Sequence, residues 1–127
     1  MVKALEAARK AARRAQEAAY EGKCTIMEFR DVENEETGLS DEEEVIVIEN
    51  QPCKLSFKKL TAASQTETAA AVSQVIKLFL APEINVKAGS KLVVTQNGVT
   101  GKYSASGIPA VYSTHQEIVL ELWEGWA

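Results

Sequence analysis

The chain is poor in the residue types that most chemistry draws on, with one histidine, two cysteines, two tryptophans and three prolines in 127 residues. His115 stands alone, so a Ser-His-Asp or Cys-His arrangement would have to be built around it. Its setting, Ser113-Thr114-His115-Gln116-Glu117, places it among polar neighbours at the start of a strand pattern. That setting favours a structural hydrogen bond over catalysis. Cys24 and Cys53 are too far apart for a CxxC pair, and with a single histidine they cannot make up a four-ligand zinc site. They read as reduced, buried, small apolar side chains. No glycine-rich phosphate loop, nucleophile elbow or paired-carboxylate spacing is present. No catalytic residue, cofactor or metal is therefore expected, and the expected role is not enzymatic. Apolar runs fall far short of the roughly 20 residues that a membrane-spanning helix needs. The N-terminal segment is alanine-rich and studded with Lys and Arg where a secretory signal would carry an apolar core, so a soluble, cytoplasmic protein is expected.

Positive charge is missing from one region. Residues 31–49 hold nine acidic residues and neither Lys nor Arg, although the formal net charge of the whole chain is only −4. Such a run is most often a solvated loop. Its functional alternative is a surface that repels DNA or meets a basic partner. The loop is expected over residues 33–42, around the turn signal Thr37-Gly38, with Glu33, Glu35, Glu36, Asp41, Glu42 and Glu43 as candidate contact residues. The charge balance argues against nucleic-acid binding as the main activity, because that activity needs Lys and Arg to displace counterions from phosphate. Tyr103 and Tyr112 lie near single lysines at best, which is too little for a basic stacking platform, and Phe57 and Phe79 read as core.

What is present is one helix followed by strands. At about 100° per residue, positions 2–21 place Leu5, Ala8, Ala12, Ala15 and Ala19, with Ala4, Ala7, Ala11 and Ala18, on one arc, and Lys3, Glu6, Arg9, Lys10, Arg13 and Glu17 on the other side. Gly22 is placed to end the helix as a left-handed cap. A face made almost wholly of alanine buries little area but lets another backbone come close. Leu5, Ala8, Ala12, Ala15 and Ala19 are thus candidate docking residues, either against the chain's own barrel or against a neighbouring subunit.

After Gly22 the period changes to 2. A first strand is predicted over residues 23–32, with Thr25, Met27 and Phe29 alternating with Cys24, Ile26 and Glu28. Residues 44–49 read as a second strand. A third begins at Gln51-Pro52 and points Cys53, Leu55 and Phe57 one way, with Lys54, Ser56 and Lys58 the other. Residues 60–71 are weakly patterned and read as a loop. Val72, Ile76, Leu78 and Leu80 share a strand face that ends before Pro82. Residues 91–96 and 99–104 flank Asn97-Gly98, a type I′ hairpin signal. The last strand points Ile118, Leu120 and Leu122 inward, with Glu117 and Glu121 outward. The expected fold is mainly β, a small barrel or sandwich of about six to eight strands (residues 23–127) with an N-terminal α-helix (residues 1–22).

Four stretches carry a family resemblance: Gln51-Pro52-Cys53-Lys54-Leu55-Ser56-Phe57, Ile76-Lys77-Leu78-Phe79-Leu80-Ala81-Pro82-Glu83-Ile84, Gly89-Ser90-Lys91-Leu92-Val93-Val94-Thr95, and Gly107-Ile108-Pro109-Ala110-Val111-Tyr112 followed by His115-Gln116-Glu117. Across nearly its whole length the chain resembles small virion proteins of long-tailed phages and prophages of Gram-positive bacteria, in particular the head-closure, or head-to-tail stopper, group. That resemblance implies a ring beneath the portal and adaptor that retains packaged DNA and docks the tail. It implies portal, adaptor and tail proteins as partners, self-association in the particle, no membrane, and residence in the host cytoplasm before the virion. It transfers no catalytic residue. A loop projecting into the ring's lumen is typical of the group, and residues 31–44 and 60–71 are the two candidates. The helical N-terminus departs from the plainest form of the family and leaves a tail-completion role open. The residues taken alone also fit a monomeric intracellular interaction module.

Overall fold

The computed structural model of the protein describes residues 2–59 and 74–126. Alanine, the strongest helix former, together with straight-chain Lys, Arg, Glu and Gln, builds α1 (Val2–Ala18). Two bonds of the tighter i→i+3 type close it, from Ala19 N–H to the Gln16 carbonyl and from Tyr20 N–H to that of Glu17, each 3.1 Å. Gly22 is not the cap. It belongs to β1 and lacks a positive φ. Its missing side chain matters for another reason: a Cβ there would lie 3.1 Å from the Cys53 carbonyl and 3.2 Å from both Cys53 Sγ and the Gln96 amide oxygen.

Six antiparallel strands follow, β1 (Gly22–Glu33), β2 (Ser40–Lys59), β3 (Gln74–Leu80), β4 (Lys91–Gln96), β5 (Val99–Val111) and β6 (Gln116–Leu122). They close into a barrel in the order β1-β2-β3-β6-β5-β4. The fold is therefore mainly β, with six strands and one N-terminal helix among the described residues. Asn97 and Gly98, with φ of 52° and 76°, make the tight β4–β5 turn in which both central residues are left-handed. The loop expected over residues 60–71, and Val72, lie outside the described residues.

Alternation fills the barrel. Cys24, Ile26, Cys53, Leu55, Leu78, Leu80, Leu92, Val94, Ile118 and Leu120 are buried, joined by Val86, Tyr103 and Ala105. The two cysteines are free and face each other inside this core. The Cys24 thiol is pushed up by its hydrogen bond to Cys53 and by burial. Two expectations fail at the rim. Phe57 and Leu122 keep the inward alternation but are 52% and 68% exposed, because among the described residues each has a paired strand on one side only: β1 stops flanking β2 at Cys53, and β3 stops flanking β6 at Leu120. Gln116 is buried and ties the loop after β3 to the barrel, its amide donating to the carbonyls of Ala81, at 2.8 Å, and Ile84.

One seam is closed by a side chain. β1 begins opposite Cys53, so β2 continues to Lys59 with no strand of the described residues beside it on that side. Gln96, the last residue of β4, reaches into the gap. Its amide oxygen accepts from Leu55 N–H at 2.8 Å, and its amide nitrogen donates to the Leu55 carbonyl at 3.2 Å. The side-chain amide thus takes the place of a missing backbone neighbour. Replacing Gln96 with Ala strands both Leu55 groups and is expected to cost about 1–3 kcal/mol in urea unfolding. Leu122→Ala, at an exposed site, is expected to stay within about 0.5 kcal/mol. Equal effects would refute the seam role.

Candidate interaction surfaces

The acidic segment is built as a projecting ribbon, which corrects the expected loop. β1 pairs with β4 only over residues 23–27, and β2 pairs with β3 only from Cys53 onward. Beyond those points, among the described residues, the two strands pair only with each other, through Glu33 opposite Ser40. Six residues, 28–33, carry the ribbon roughly 20 Å past the barrel wall. The physical cause is local. Val45, Ile46, Val47 and Ile48 favour a strand, and the tip closes on its own side chains. Asn34 Oδ1 accepts from Glu36 N–H at 2.9 Å, Gly38 N–H donates to the Asn34 carbonyl at 2.7 Å, and Gly38 takes a φ of 70°. The strands predicted over residues 44–49 and from Gln51 are one strand. Two register shifts bend it, one of them beside Asn50, whose φ is 52°.

The six candidate carboxylates all lie on this ribbon: Glu33 ends β1, Glu35 and Glu36 sit in the turn, and Asp41, Glu42 and Glu43 open β2. All are exposed. Asp31 stands directly opposite Glu42, a like-charge pair that weakens the ribbon. Of the nine acidic residues in 31–49, only Glu44 has a cation partner among the described residues, Lys91 at 2.6 Å. Apolar groups are interleaved with them, for Phe29, Val32, Leu39, Ile46 and Val47 are all exposed.

The root of the ribbon is clamped by the C-terminal segment. Trp126 stacks on Phe29, with ring centroids 5.2 Å apart and planes 13° from parallel. Trp123 packs edge-on against Trp126 at 4.7 Å, and Lys91 lies 5.2 Å over the Trp123 ring. Below, Glu28 is buried and takes the Arg30 guanidinium at 2.8 and 2.9 Å, with Lys87 at 3.8 Å. These residues, with Ser90 and Trp126, line a cleft of about 380 Å³. Nothing in the spacing of Trp123 and Trp126 to Phe29 signals this stack, because the contact joins the first strand to the last segment.

The helix meets the barrel by its polar edge. Arg13 forms a bidentate pair with Glu83, one arm at 2.7 Å, and also reaches Glu17 at 3.4 Å. Glu83 is held below the usual carboxylate range by that hydrogen bond. Gln16, Ala19 and Tyr20 border a small cleft against Lys54 and Phe79, and burial raises the Tyr20 hydroxyl. Phe79, expected in the core, instead lies half-buried beneath this contact. No residue of α1 is buried. Leu5, Ala8, Ala12 and Ala15, and Ala19 just past the helix, are exposed, so the alanine face is not docked on the chain's own barrel.

A polar cluster sits at the start of β6. His115 Nε2 bonds Glu117 Oε2 and its Nδ1 bonds the Thr114 hydroxyl, each at 2.9 Å, while the ring stacks on Tyr112 at 4.9 Å. Glu117 is held below the usual carboxylate range chiefly by the bond from His115, with Lys77 at 3.5 Å adding to it. His115 is thus hydrogen-bonded to two of the polar neighbours that flank it in sequence. Among the described residues, no group of three or more His, Cys, Asp or Glu is placed to hold a metal ion.

No family model matches the chain, and no curated protein does. Among solved structures it is similar to the phage-like element PBSX protein xkdH from Bacillus subtilis, at 10% sequence identity and a TM-score of 0.48, over 79% of this chain and 91% of that one.

Two measurements check these surfaces. Trp126→Ala removes the stack on Phe29, so amide exchange at residues 29–32 is expected to speed up while the amides of β3 stay protected. Unchanged exchange would show that the ribbon needs no clamp. For Glu117, a lowered folded-state pKa means stability that is present above the ordinary carboxylate value of 4.5 and is lost as pH falls below it. Glu117→Gln should therefore flatten the fall in unfolding midpoint between neutral and acid pH. An equally steep fall would show that His115 does not hold the carboxylate.

Proposed function

We propose that this protein is a structural component of a phage or prophage neck, in which a ring of copies joins the head to the tail and helps retain packaged DNA. It acts by assembly and steric blockage, without catalysis. The observation that carries the reading is the acidic ribbon projecting from the end of a closed barrel. A ring of such ribbons would line a channel with negative charge, which blocks the opening without adhering to the phosphate backbone. The near-whole-chain sequence resemblance to head-closure proteins supports the same assignment. The exposed helix supplies a second projecting surface for a portal, adaptor or tail partner. It also favours the second reading, tail completion, because an N-terminal arm departs from the plainest head-closure pattern. Each pairwise interface of so small a barrel is modest, and a closed ring multiplies it. A monomer in dilute solution is compatible with a ring in the particle.

The test is deletion of the gene in its prophage, followed by electron microscopy of induced lysates. Free tails beside heads that have lost their DNA are expected. Normal infectious particles would overturn the neck assignment, and full heads with tails defective at their upper end would move it to tail completion.

A further inference from the structure

The sequence separates charge into two projecting elements that do not meet within the chain. Residues 2–18 carry five cations, Lys3, Arg9, Lys10, Arg13 and Arg14, against two carboxylates, Glu6 and Glu17. Residues 31–49 carry nine carboxylates and no cation. Among the described residues, the ion pairs of α1 are those of Arg13 with Glu17 and Glu83, and the ion pair of residues 31–49 is that of Glu44 with Lys91. Both elements are therefore electrostatically unfinished, with opposite sign.

Their shapes agree as well. With the helix held to the barrel through Arg13, Gln16 and Tyr20, a turn of about 100° per residue brings Lys3, Lys10 and Arg14 into one row roughly a quarter-turn away from that contact. Ala4, Ala7 and Ala11 lie directly beside the row. The result is an open face with cations along one margin and alanines along the other. Long cationic side chains can extend from such a margin while the alanines let the backbone settle close to an apolar surface. From Lys3 to Arg14 the row spans roughly 16 Å, and the ribbon from Phe29 to Glu33 roughly 14 Å. The ribbon offers a complementary row, with Asp31, Glu33 and Glu42 on one of its faces, while Asp41 and Glu43 share the other face with the exposed Val32. The repulsion between Asp31 and Glu42 is relieved by any cation that binds over them.

We propose that the Lys3, Lys10 and Arg14 row of α1 docks on the acidic β1–β2 ribbon of a second copy of this chain. Each copy uses its helix toward one neighbour and its ribbon toward the other, a heterologous contact that closes into a ring when the rotation between copies permits. The inference rests on the ring-assembly reading and adds the contact that joins the copies. It assigns a neighbouring copy to the basic margin of α1 and to the Asp31, Glu33 and Glu42 face of the ribbon, leaving the face with Asp41 and Glu43 toward the channel, and it makes assembly sensitive to salt.

The experiment uses the full chain as an equal mixture of ¹⁵N-labelled and unlabelled protein, at the highest soluble concentration and low ionic strength. A carbodiimide, which joins Lys amines to carboxylates in direct contact, is the probe. Expected are mixed-label peptides linking Lys3 or Lys10 to Asp31, Glu33 or Glu42, with a yield at least about tenfold lower in high salt. A triple variant K3E/K10E/R14E and a triple variant D31K/E33K/E42K should each lose these links alone and regain inter-copy links when mixed, with far-UV circular dichroism confirming that both are folded. Links only within one copy, links between copies at other residues, or no links at all would each overturn the proposal. Links between copies elsewhere would leave ring assembly standing, and the deletion phenotype decides the neck assignment separately.

Discussion

The structure depends on β1, the strand that is hydrogen-bonded both to β2 and to β4 and so turns an open sheet into a barrel. Its pairing with β4 covers only residues 23–27, and those five positions contain Cys24 and Ile26, both essentially inaccessible to solvent. Burial of this short stretch, with Leu92 and Val94 opposite, holds the closure. Where β1 stops short of the full length of β2, the Gln96 side chain supplies the two missing hydrogen bonds to Leu55. The absence of a side chain at Gly22 leaves room for the same amide. Closure therefore rests on a few residues from strands distant in sequence.

The same strand carries the surface of interest. Past Met27, β1 leaves the barrel and takes β2 with it, so the rigidity of the closed sheet passes into the ribbon. The Trp126–Phe29 stack and the buried Glu28 with Arg30 and Lys87 stiffen the root of that ribbon. Toward the tip the interactions become mutually repulsive, as at Asp31 opposite Glu42. A segment held firmly at its base and charged at its end is suited to meeting a partner.

Much of the fold was legible in the sequence because it follows from local rules. The alanine-rich segment is a helix, the change of period at Gly22 marks the first strand, and Asn97-Gly98 is the predicted hairpin. Leu78, Leu80, Ile118 and Leu120 are core, as their alternation implies. The failures have separate causes. Phe57 and Leu122 keep the same alternation, but the neighbouring strand on one side of each ends before reaching it, so the face is left open there whatever its pattern. The acidic residues suggested a loop because like charges disfavour close pairing. The β-branched run at residues 45–48 and the turn chemistry of Asn34 and Gly38 outweighed them.

The candidate surfaces divide in the same way. By itself the sequence determined that the helix has an alanine face and a basic side, that residues 31–49 are uncompensated acid, and that the chain is mainly β, since propensity, period and charge are carried by near neighbours. The tertiary structure decided that the helix touches the barrel through Arg13, Gln16 and Tyr20, leaving the alanines open, that Glu28 is buried while Phe29 is clamped by Trp126, and that the acidic run stands out as a ribbon. Those outcomes turn on Glu83, Lys87 and Trp126, which lie tens of residues away along the chain. Only closure of the barrel brings such groups within reach of one another.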